Sequence, residues 1–323
     1  GMRLAPGEIG AFQVQVIEGR AVAVVPPLPP GTGRAMTLAR LASAAAGRSG
    51  MAPGLVAHLA ACLAAGIDPE VPGTGSIGAS DLALNAHWAR ALVLGRGRVT
   101  GGDAASALAA AGLAPPPLGP RDGMALISHS GASVALAAAA LTCAGVALHA
   151  ARCAILLSHA GYGAHRGALS PEANAARPAP GQQEVAVWLA ERLAGCEDAP
   201  RRIQEALSFR VVAPVQGAAE EALARAVAIW KDEANGSSDS PIVTEGGEML
   251  TTANFHAPAL ALALDGLSQA AAMVAHGVAQ RMQRMMDPRM SGLPRALSPD
   301  DGVAAGMVPL QKTAMALLGE IRH

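Results

Sequence analysis

A glycine-rich stretch ahead of an apolar helical pattern is the part of the chain best suited to chemistry. It runs Gly-Ser-Ile-Gly-Ala-Ser-Asp-Leu-Ala-Leu-Asn-Ala-His at residues 75–87 and follows Gly73. Glycine permits backbone angles that other residues avoid, so the stretch can form a tight turn. Ser80 and Asp81 are typical of a helix N-terminus, where a carboxylate lies beside unpaired backbone amides. A phosphate-binding loop is disfavoured, because neither Gly-Lys-Ser/Thr nor Gly-x-Gly-x-x-Gly occurs here.

Further polar residues interrupt the apolar helical patterns of the second half of the chain. Asp-Glu-Ala-Asn-Gly-Ser-Ser-Asp-Ser-Pro-Ile-Val occupies residues 232–243, and Ala-Asn-Phe-His-Ala occupies residues 253–257. Arg210 can pair with a carboxylate through two parallel hydrogen bonds. Glu320 and His256 can carry protons.

Each of these polar residues also has a purely structural interpretation. Asn254 and His256 precede a helix, where Asn is a natural cap. Asp239 before Ser-Pro is a standard turn former, and Glu320 can be a solvated charge near a helix end. Considered one at a time, the capping and turn roles are the better interpretation of each residue.

Taken together and in order, these stretches resemble the histidine and phenylalanine ammonia-lyases, the aromatic amino acid lyase family. That family typically has Gly-Ser-(Val/Ile)-Gly-Ala-Ser-Gly-Asp-Leu-Ala-Pro-Leu-Ala-His, which is similar to residues 75–87. Residues 232–243, 253–257 and 285–294 are similar to its Glu-x-Asn-x-x-Ser-Asp-Asn-Pro-(Leu/Ile)-Val, Gly-Asn-Phe-His-(Gly/Ala) and Leu-Met-Asp…Ser-x-Leu-Pro segments. Because the matches cover most of the chain in the family's order, the resemblance is specific.

The resemblance implies an active site and a prosthetic group. In the family the Ala-Ser-Gly tripeptide cyclises to a methylidene-imidazolone, an electrophile that activates the substrate for loss of ammonia. The implied catalytic residues, which form the electrophile or lie near it, are Ala79, Ser80, Asp81 and Glu320. The implied substrate-binding residues are Arg210, Asn254 and His256, with the arginine on the substrate carboxylate. No metal ion is expected.

Several positions depart from the family pattern. Counting to His87 shows one residue too few, so the glycine of Ala-Ser-Gly is absent and Asp81 directly follows Ser80. Leu207 stands where the family has the Tyr of Tyr-Ser-x-Arg, and Ser128 where it has an Asn that supports the electrophile. Two interpretations stay open. The protein is a divergent paralogue without the prosthetic group, or the sequence lacks residues of the whole protein, a C-terminal part among them.

The predicted function is that of a histidine/aromatic amino acid ammonia-lyase-like protein, which eliminates ammonia non-oxidatively from an amino acid if it is active. The alternative is a catalytically impaired paralogue that binds an amino acid or small carboxylate, or serves as a scaffold, on the same fold. The resemblance also implies a homotetramer. The one cofactor implied is the methylidene-imidazolone made from the chain, and the absent glycine opposes its formation.

Composition predicts the fold class and excludes some partners. Of the 323 residues 51% are hydrophobic but only 2% aromatic, so Ala, Leu, Val and Met must fill the core. Such interiors favour an all-α bundle of long helices over a β-sandwich. A net charge of -1 gives no electrostatic case for nucleic acid or an anionic membrane. Four cysteines without a Cys-x-x-Cys pair predict free buried thiols. Gly1-Met2 resembles a remnant of a tag, and no signal peptide is expected after it. Both features predict a cytoplasmic protein.

Periodicity predicts the elements that position these residues. Apolar and polar residues alternate over residues 12–17 and 21–25, which predicts a hairpin in a small N-terminal α+β portion. Helices are predicted at about residues 34–46, 53–65, 82–94, 104–111, 183–194, 215–235, 256–286 and 302–323. The three longest must bury one another. We expect an N-terminal portion over residues 1–120 and a tightly joined central bundle over residues 121–323.

The longest uncharged run, residues 124–151, has two interpretations. Its length alone allows a membrane span. Two histidines, many weakly hydrophobic alanines and the absence of flanking aromatic residues argue against a span. A central helix surrounded by other helices is therefore the favoured interpretation.

Overall fold

The computed structural model describes residues 4–196, 202–300 and 304–321 of the 323-residue chain. The chain forms two compact units, each assembled from two separate segments. The first unit comprises Gly1–Ala140 and Ala228–Ala261, and the second comprises Leu141–Val227 and Leu262–His323. The predicted boundary at residue 120 stays a prediction.

Helices dominate the described residues, which confirms the all-α fold class. The α-helices are α1 (Ile9–Glu18), α2 (Thr32–Ala45), α3 (Pro53–Ala64), α4 (Leu82–Leu94), α5 (Ala104–Ala110), α6 (Asp122–Ile127), α7 (Gly131–Tyr162), α8 (Pro171–Ala175), α9 (Pro180–Arg192), α10 (Leu207–Arg210), α11 (Val212–Asn235), α12 (Pro258–Met285), α13 (Pro288–Ser291) and α14 (Val308–Ile321). The strands are β1 (Val24–Pro27), β2 (Pro72–Thr74), β3 (Arg98–Val99), β4 (Gly102–Asp103), β5 (Ile242–Val243) and β6 (Met249–Leu250). They form the antiparallel pairs β1–β2, β3–β4 and β5–β6.

The predicted N-terminal hairpin is wrong. Residues 12–17 lie in α1, and β1 pairs with β2 instead. The buried residues of α1 are Gln13, Val16 and Ile17. Their spacing of three and four residues is that of one helix face, so burial against the rest of the first unit overrides the short alternating pattern.

Helix α4 forms the centre of the first unit and begins directly after the glycine-rich stretch. Its bounds agree with the predicted helix at 82–94. Trp88 is fully buried, and its indole N–H donates a 2.9 Å hydrogen bond to Thr37 Oγ1. Alanines on the other faces allow neighbouring elements to approach closely on all sides. A turn attached to this helix is therefore carried by a rigid element.

The long uncharged run is two helices and not one. Helix α6 ends at Ile127 and α7 begins at Gly131. In the break, His129 Nδ1 accepts a 3.0 Å hydrogen bond from Gly131 N, and Nε2 donates to Leu126 O at 3.0 Å. Because the imidazole satisfies backbone groups on both sides, the helical hydrogen-bond ladder can stop in an apolar context.

By length and hydropathy, the α6–α7 segment at residues 122–162 and helix α12 could each cross a membrane. A core helix of a bundle in water satisfies the same criterion, so this finding assigns neither segment to a membrane. The absence of a membrane partner stays a prediction.

The second unit has its own core, in which α7, α9 and α11 meet. Ile155, Val185, Leu189 and Val212 are buried together there. Gln216 Nε2 in α11 donates a 2.8 Å hydrogen bond to Leu148 O in α7. Helix α11 therefore packs against α7 and α9 within this unit, whereas the expected burial of the three longest predicted helices against one another stays a prediction.

The cysteines are free, but they are not uniformly buried. Cys62 is fully buried, and burial raises the pKa of its thiol to about 11. Cys143 is exposed in the single chain, so the prediction of buried thiols is wrong for this residue.

Candidate functional site

The glycine-rich stretch forms a tight turn that pairs with a second polar segment of the first unit. Ser80 and Asp81 both have positive φ angles, 68° and 50°, a conformation that side-chained residues seldom adopt. Ser80 N donates a 2.9 Å hydrogen bond to Phe255 O, and Ala79 forms an antiparallel bridge with His256. Local strain of this kind concentrates at functional sites.

The carboxylate of Asp81 holds this turn against a different helix from the one predicted. Asp81 is the N-cap residue of α4, but its side chain makes no capping hydrogen bond there. Its Oδ2 accepts from Ser133 N at 2.7 Å, and its Oδ1 accepts from Ser133 Oγ at 3.0 Å and from Ser76 Oγ at 2.6 Å. The negative charge therefore lies at the N-terminus of α7, where the helix dipole favours it.

The side chain of Asn85 in α4 contacts the backbone of the glycine-rich turn. Its Nδ2 lies within hydrogen-bond distance of three carbonyl oxygens, those of Ser80 (2.9 Å), Ile127 (3.1 Å) and His129 (2.7 Å). One side chain thus joins the turn before α4 to the break between α6 and α7. Asn85 stands where the family pattern has Leu, so this bond is a feature of the present chain.

Ser128 faces the turn. Its Oγ lies 3.3 Å from Ser80 Oγ, and both residues are buried. Ser128, which stands where the family pattern has Asn, therefore lies against the turn. A serine hydroxyl is shorter than an amide side chain and supplies one donor in place of two.

A buried ion pair positions the segment that carries residues 254–256. Arg40 Nη2 and Nη1 donate to Asp239 Oδ1 and Oδ2 at 2.7 and 3.0 Å, and both side chains are essentially inaccessible. Burial alone would raise the pKa of the Asp239 carboxyl, but the Arg40 guanidinium outweighs it and holds the pKa below its usual range. Ser237 Oγ donates a further hydrogen bond to Asp239 Oδ2. This arrangement ties α2 to the polar turn that follows α11.

Arg121 makes further hydrogen bonds that hold the segment between α11 and α12. Its Nε donates to Ser49 O at 2.8 Å, and its Nη2 donates to Pro241 O. The backbone amide of Val243 donates to Arg48 O at 2.8 Å. The segment is thus held to the α2–α3 connection at several points before it reaches the turn.

The predicted site residues fall into two groups. Ala79, Ser80, Asp81 and His256 are brought together in the first unit, where His256 Nδ1 lies 3.2 Å from Gly78 O. The exposed Asn254 belongs to the same segment and donates from Nδ2 to Ser237 O at 3.3 Å, so it does not cap α12.

The remaining predicted residues belong to the second unit. Arg210 ends α10, is exposed, and donates from Nη1 to Gln204 Oε1 at 2.9 Å. Glu320 lies in α14 and is exposed. The catalytic and substrate-binding assignments of all seven residues stay predictions. Among the residues that the structure describes, no cluster of His, Cys, Asp or Glu could hold a metal ion.

The residues of the turn do not fit a methylidene-imidazolone. Closing that ring joins the amide nitrogen of the third residue to the carbonyl carbon of the first, here Asp81 and Ala79. Asp81 has a Cβ beside the attacking nitrogen, and its carboxylate is held by three hydrogen bonds. The Ser80 carbonyl is held by Asn85. The backbone that must contract to close the ring is therefore fixed in its open form, without the freedom that glycine would give.

Several residues that build the site are not singled out by the sequence motifs. They are Arg40, Ser76, Asn85, His129 and Ser133. Asn85 carries one available signal, because it is a strongly polar residue in a helix whose other buried residues are all apolar. The partners of Arg40 and Ser133 lie 199 and 52 positions away in the sequence, so no local pattern identifies these two residues.

Two buried histidines predict that the protein loses stability in mild acid. Burial lowers the pKa of His129 to about 3 and that of His159 to about 4, from an ordinary value of 6.5. Below pH 6.5 the unfolded chain binds protons that the folded chain does not. We therefore expect the free energy of unfolding to decrease by about 1.4 kcal/mol per histidine for each unit by which the pH is lowered.

Urea unfolding between pH 6.5 and 4.5 measures this loss. His129→Gln removes one of the two groups, so its pH slope should be shallower than that of the wild type by the contribution of one proton. Equal slopes would show that His129 is protonated in the folded state.

A family model described as aromatic amino acid lyase matches residues 1–323. The chain is 37% identical over 327 residues to a histidine ammonia-lyase of Deinococcus radiodurans, covering 97% of this chain and 62% of that relative. It is 35% identical over 349 residues to a histidine ammonia-lyase of Anaeromyxobacter dehalogenans, covering 99% and 66%. The chain thus spans less than two thirds of the length of these relatives.

Two solved structures are similar in fold to this chain. The histidine ammonia-lyase from Trypanosoma cruzi has a TM-score of 0.91 at 29% identity, covering 99% of this chain and 62% of that one. The ergothioneine-degrading ergothionase from Treponema denticola has a TM-score of 0.91 at 26% identity, covering 99% and 66%.

Proposed function

Because the chain belongs to the aromatic amino acid lyase family, we propose that it has an ammonia-lyase-like function, the non-oxidative elimination of ammonia from an α-amino acid. In this reaction a base removes a proton from Cβ and the Cα–N bond breaks. The products are ammonia and an α,β-unsaturated acid.

One structural observation supports the site above all others, namely the pairing of the strained turn with the Asn-Phe-His segment. The Ser80 amide and the Phe255 carbonyl are 2.9 Å apart, and Ala79 bridges His256. Residues 175 or more positions apart in the sequence are thus held in register by backbone hydrogen bonds. Such rigid support is what a catalytic arrangement requires.

Three side chains are proposed to act on the substrate. Arg210 has a neutral hydrogen-bond partner, Gln204, and no ion pair among the described residues, which leaves its charge available for a carboxylate. His256 and Glu320 are proposed as the proton carriers. No step is assigned to a ring electrophile, since the turn does not fit one.

Histidine is the proposed first substrate to test, because the curated relatives at 34–37% identity are named histidine ammonia-lyases. The solved relatives include enzymes named for phenylalanine and tyrosine, so these two amino acids form the natural comparison set.

A second candidate function has its own supporting observation. Asp81 follows Ser80 directly and its carboxylate locks the turn, while Leu207 and Ser128 occupy positions where the family pattern has Tyr and Asn. A protein with these changes could bind an amino acid or small carboxylate without turning it over. The same experiment separates the two candidates.

The assembly and location remain proposals. We propose a homotetramer in the cytoplasm, on the family resemblance and the sequence expectations. Native mass measurement tests the assembly, and a monomer at micromolar concentration would contradict it.

Turnover is tested with histidine, phenylalanine and tyrosine, by following the ultraviolet absorbance of the unsaturated acid and the ammonia released. If the proposal holds, one substrate gives both products in equal amounts. Arg210→Met should raise KM by about tenfold or more, because a charge-assisted bidentate contact is lost. Arg225→Met is the matched control, since Arg225 is exposed on α11 and has no assigned role.

Binding by calorimetry decides between the remaining outcomes. Substrate binding without products would support the impaired paralogue. Absence of both binding and products would contradict both functions.

A further inference from the structure

The second unit contains a cavity whose wall includes neither Arg210 nor Glu320, although Leu207 of the short helix α10, which also carries Arg210, lines it. Its volume is about 690 Å³, which falls in the range of small-molecule sites, about 300–1,000 Å³. Ile155 of α7, the N-terminal part of α11, the middle of α12 and Ile321 of α14 line it. All of its lining residues belong to this one unit.

A buried arginine that has no anionic partner among the described residues lies in the wall of this cavity. Arg281 of α12 is 5% exposed, and burial lowers the pKa of its guanidinium to about 10. Its Nη1 donates to Ser208 O at 3.2 Å. None of the ion pairs among the described residues includes Arg281. A buried charge is normally paired, so this guanidinium is suited to an anion from outside.

Three other lining residues have buried polar atoms that lack a hydrogen-bond partner within the described parts of the chain. These atoms are Ser208 Oγ, Gln216 Oε1 and His276 Nδ1. Gln216 is fully buried, and both hydrogens of its amide nitrogen are used, by Leu148 O and by Glu220 Oε1. Unsatisfied buried polar groups are uncommon in native proteins, and several around one cavity indicate a ligand with polar groups.

The rest of the wall fixes the chemical class of that ligand. The lining residues that the structure describes include Arg284 as a second cation but no Asp or Glu, so the cavity favours a negative charge. Val211, Val212, Val215 and Met273 contribute apolar surface. A hydrophobic body attached to a single anionic group complements both features.

We propose that this cavity binds an amphipathic monocarboxylate, such as a medium-chain or aryl-alkyl carboxylic acid. The carboxylate accepts hydrogen bonds from the Arg281 guanidinium and the Ser208 hydroxyl. The apolar body lies against the valines of α11 and Met273 of α12. Binding pairs the buried charge and removes apolar surface from water at the same time.

Titration calorimetry on the full chain tests the proposal with octanoate, 1-octanol and octylamine, each below its aggregation concentration. We expect octanoate to bind and to raise the melting temperature. The uncharged and cationic analogues have the same chain length, and should bind at least about tenfold more weakly because the charge-assisted contact is missing. This comparison uses the unmodified protein and depends on no substitution.

The variant Arg281→Met then tests whether the Arg281 guanidinium is the group that binds the carboxylate. Methionine keeps an unbranched side chain of similar reach, so octanoate should bind about tenfold more weakly or not at all. The empty variant should melt at the same temperature as the wild type or higher, since an unpaired buried cation has been removed. Arg225→Met, at an exposed position on α11, should leave octanoate binding unchanged.

Three results would overturn the proposal. The first is equal affinity for octanoate and octanol. The second is displacement of octanoate by histidine, which would make the cavity part of the substrate site. The third is a lower native mass of Arg281→Met, which would mean that a carboxylate of another copy of the chain fills the cavity. Failure of histidine turnover has no bearing on octanoate binding, so the two proposals fail separately.

Discussion

Replacing Asp239 with alanine is expected to lower the free energy of unfolding by about 3–5 kcal/mol, because it leaves the Arg40 guanidinium buried without its counter-charge. The pair is bidentate, at 2.7 and 3.0 Å, and its side chains are 0% and 1% exposed. The loss should also loosen the segment that carries Asn254 and His256, since this pair ties that segment to α2.

A matched control for this change exists in the same two segments. Arg48 and Glu245 form an ion pair at 2.8 Å, but their side chains are 35% and 90% exposed. Exposed pairs contribute little, so Glu245→Ala should cost less than about 1 kcal/mol. Urea unfolding at pH 7 measures both variants. Similar losses for the two would show that burial does not set the energy of the Arg40–Asp239 pair.

Inserting a glycine between Ser80 and Asp81 is expected to convert the turn into one that cyclises. The unmodified protein should have the intact mass of its sequence. The insertion restores Ala-Ser-Gly, with an unhindered amide nitrogen, and separates the anchored Asp81 carboxylate from the reacting backbone. The variant should therefore be lighter than its sequence by two water molecules and should form an adduct with borohydride.

Two controls define the result of the insertion. The same insertion combined with Ser80→Ala should keep its full mass, since the serine hydroxyl is one of the groups lost as water. A glycine inserted beside Gly101, in the exposed β3–β4 turn, controls for chain length. If the wild-type protein itself lacks two water molecules, the conclusion that Asp81 blocks ring closure is wrong.

Local patterns predicted much of the helical framework because a helix buries residues at fixed short spacings. Helix α4 was predicted with its observed bounds, and α3 and α5 to within one residue. The same argument failed for α1, since six alternating residues fit a strand as well as one face of a short helix. Burial of Gln13, Val16 and Ile17 against other elements decided between them.

The sequence by itself determined the family, the helical fold and the position of the glycine-rich turn, because these depend on residue types and local spacing. Only the tertiary structure decided how that turn is held. The Asp81 carboxylate binds Ser133 at the start of α7, the Ser80 amide binds Phe255, and Arg40 reaches Asp239. These partners are distant in the chain, and only the fold brings them within hydrogen-bond distance. The missing glycine was visible in the sequence, but the three hydrogen bonds that fix Asp81 in its place were not.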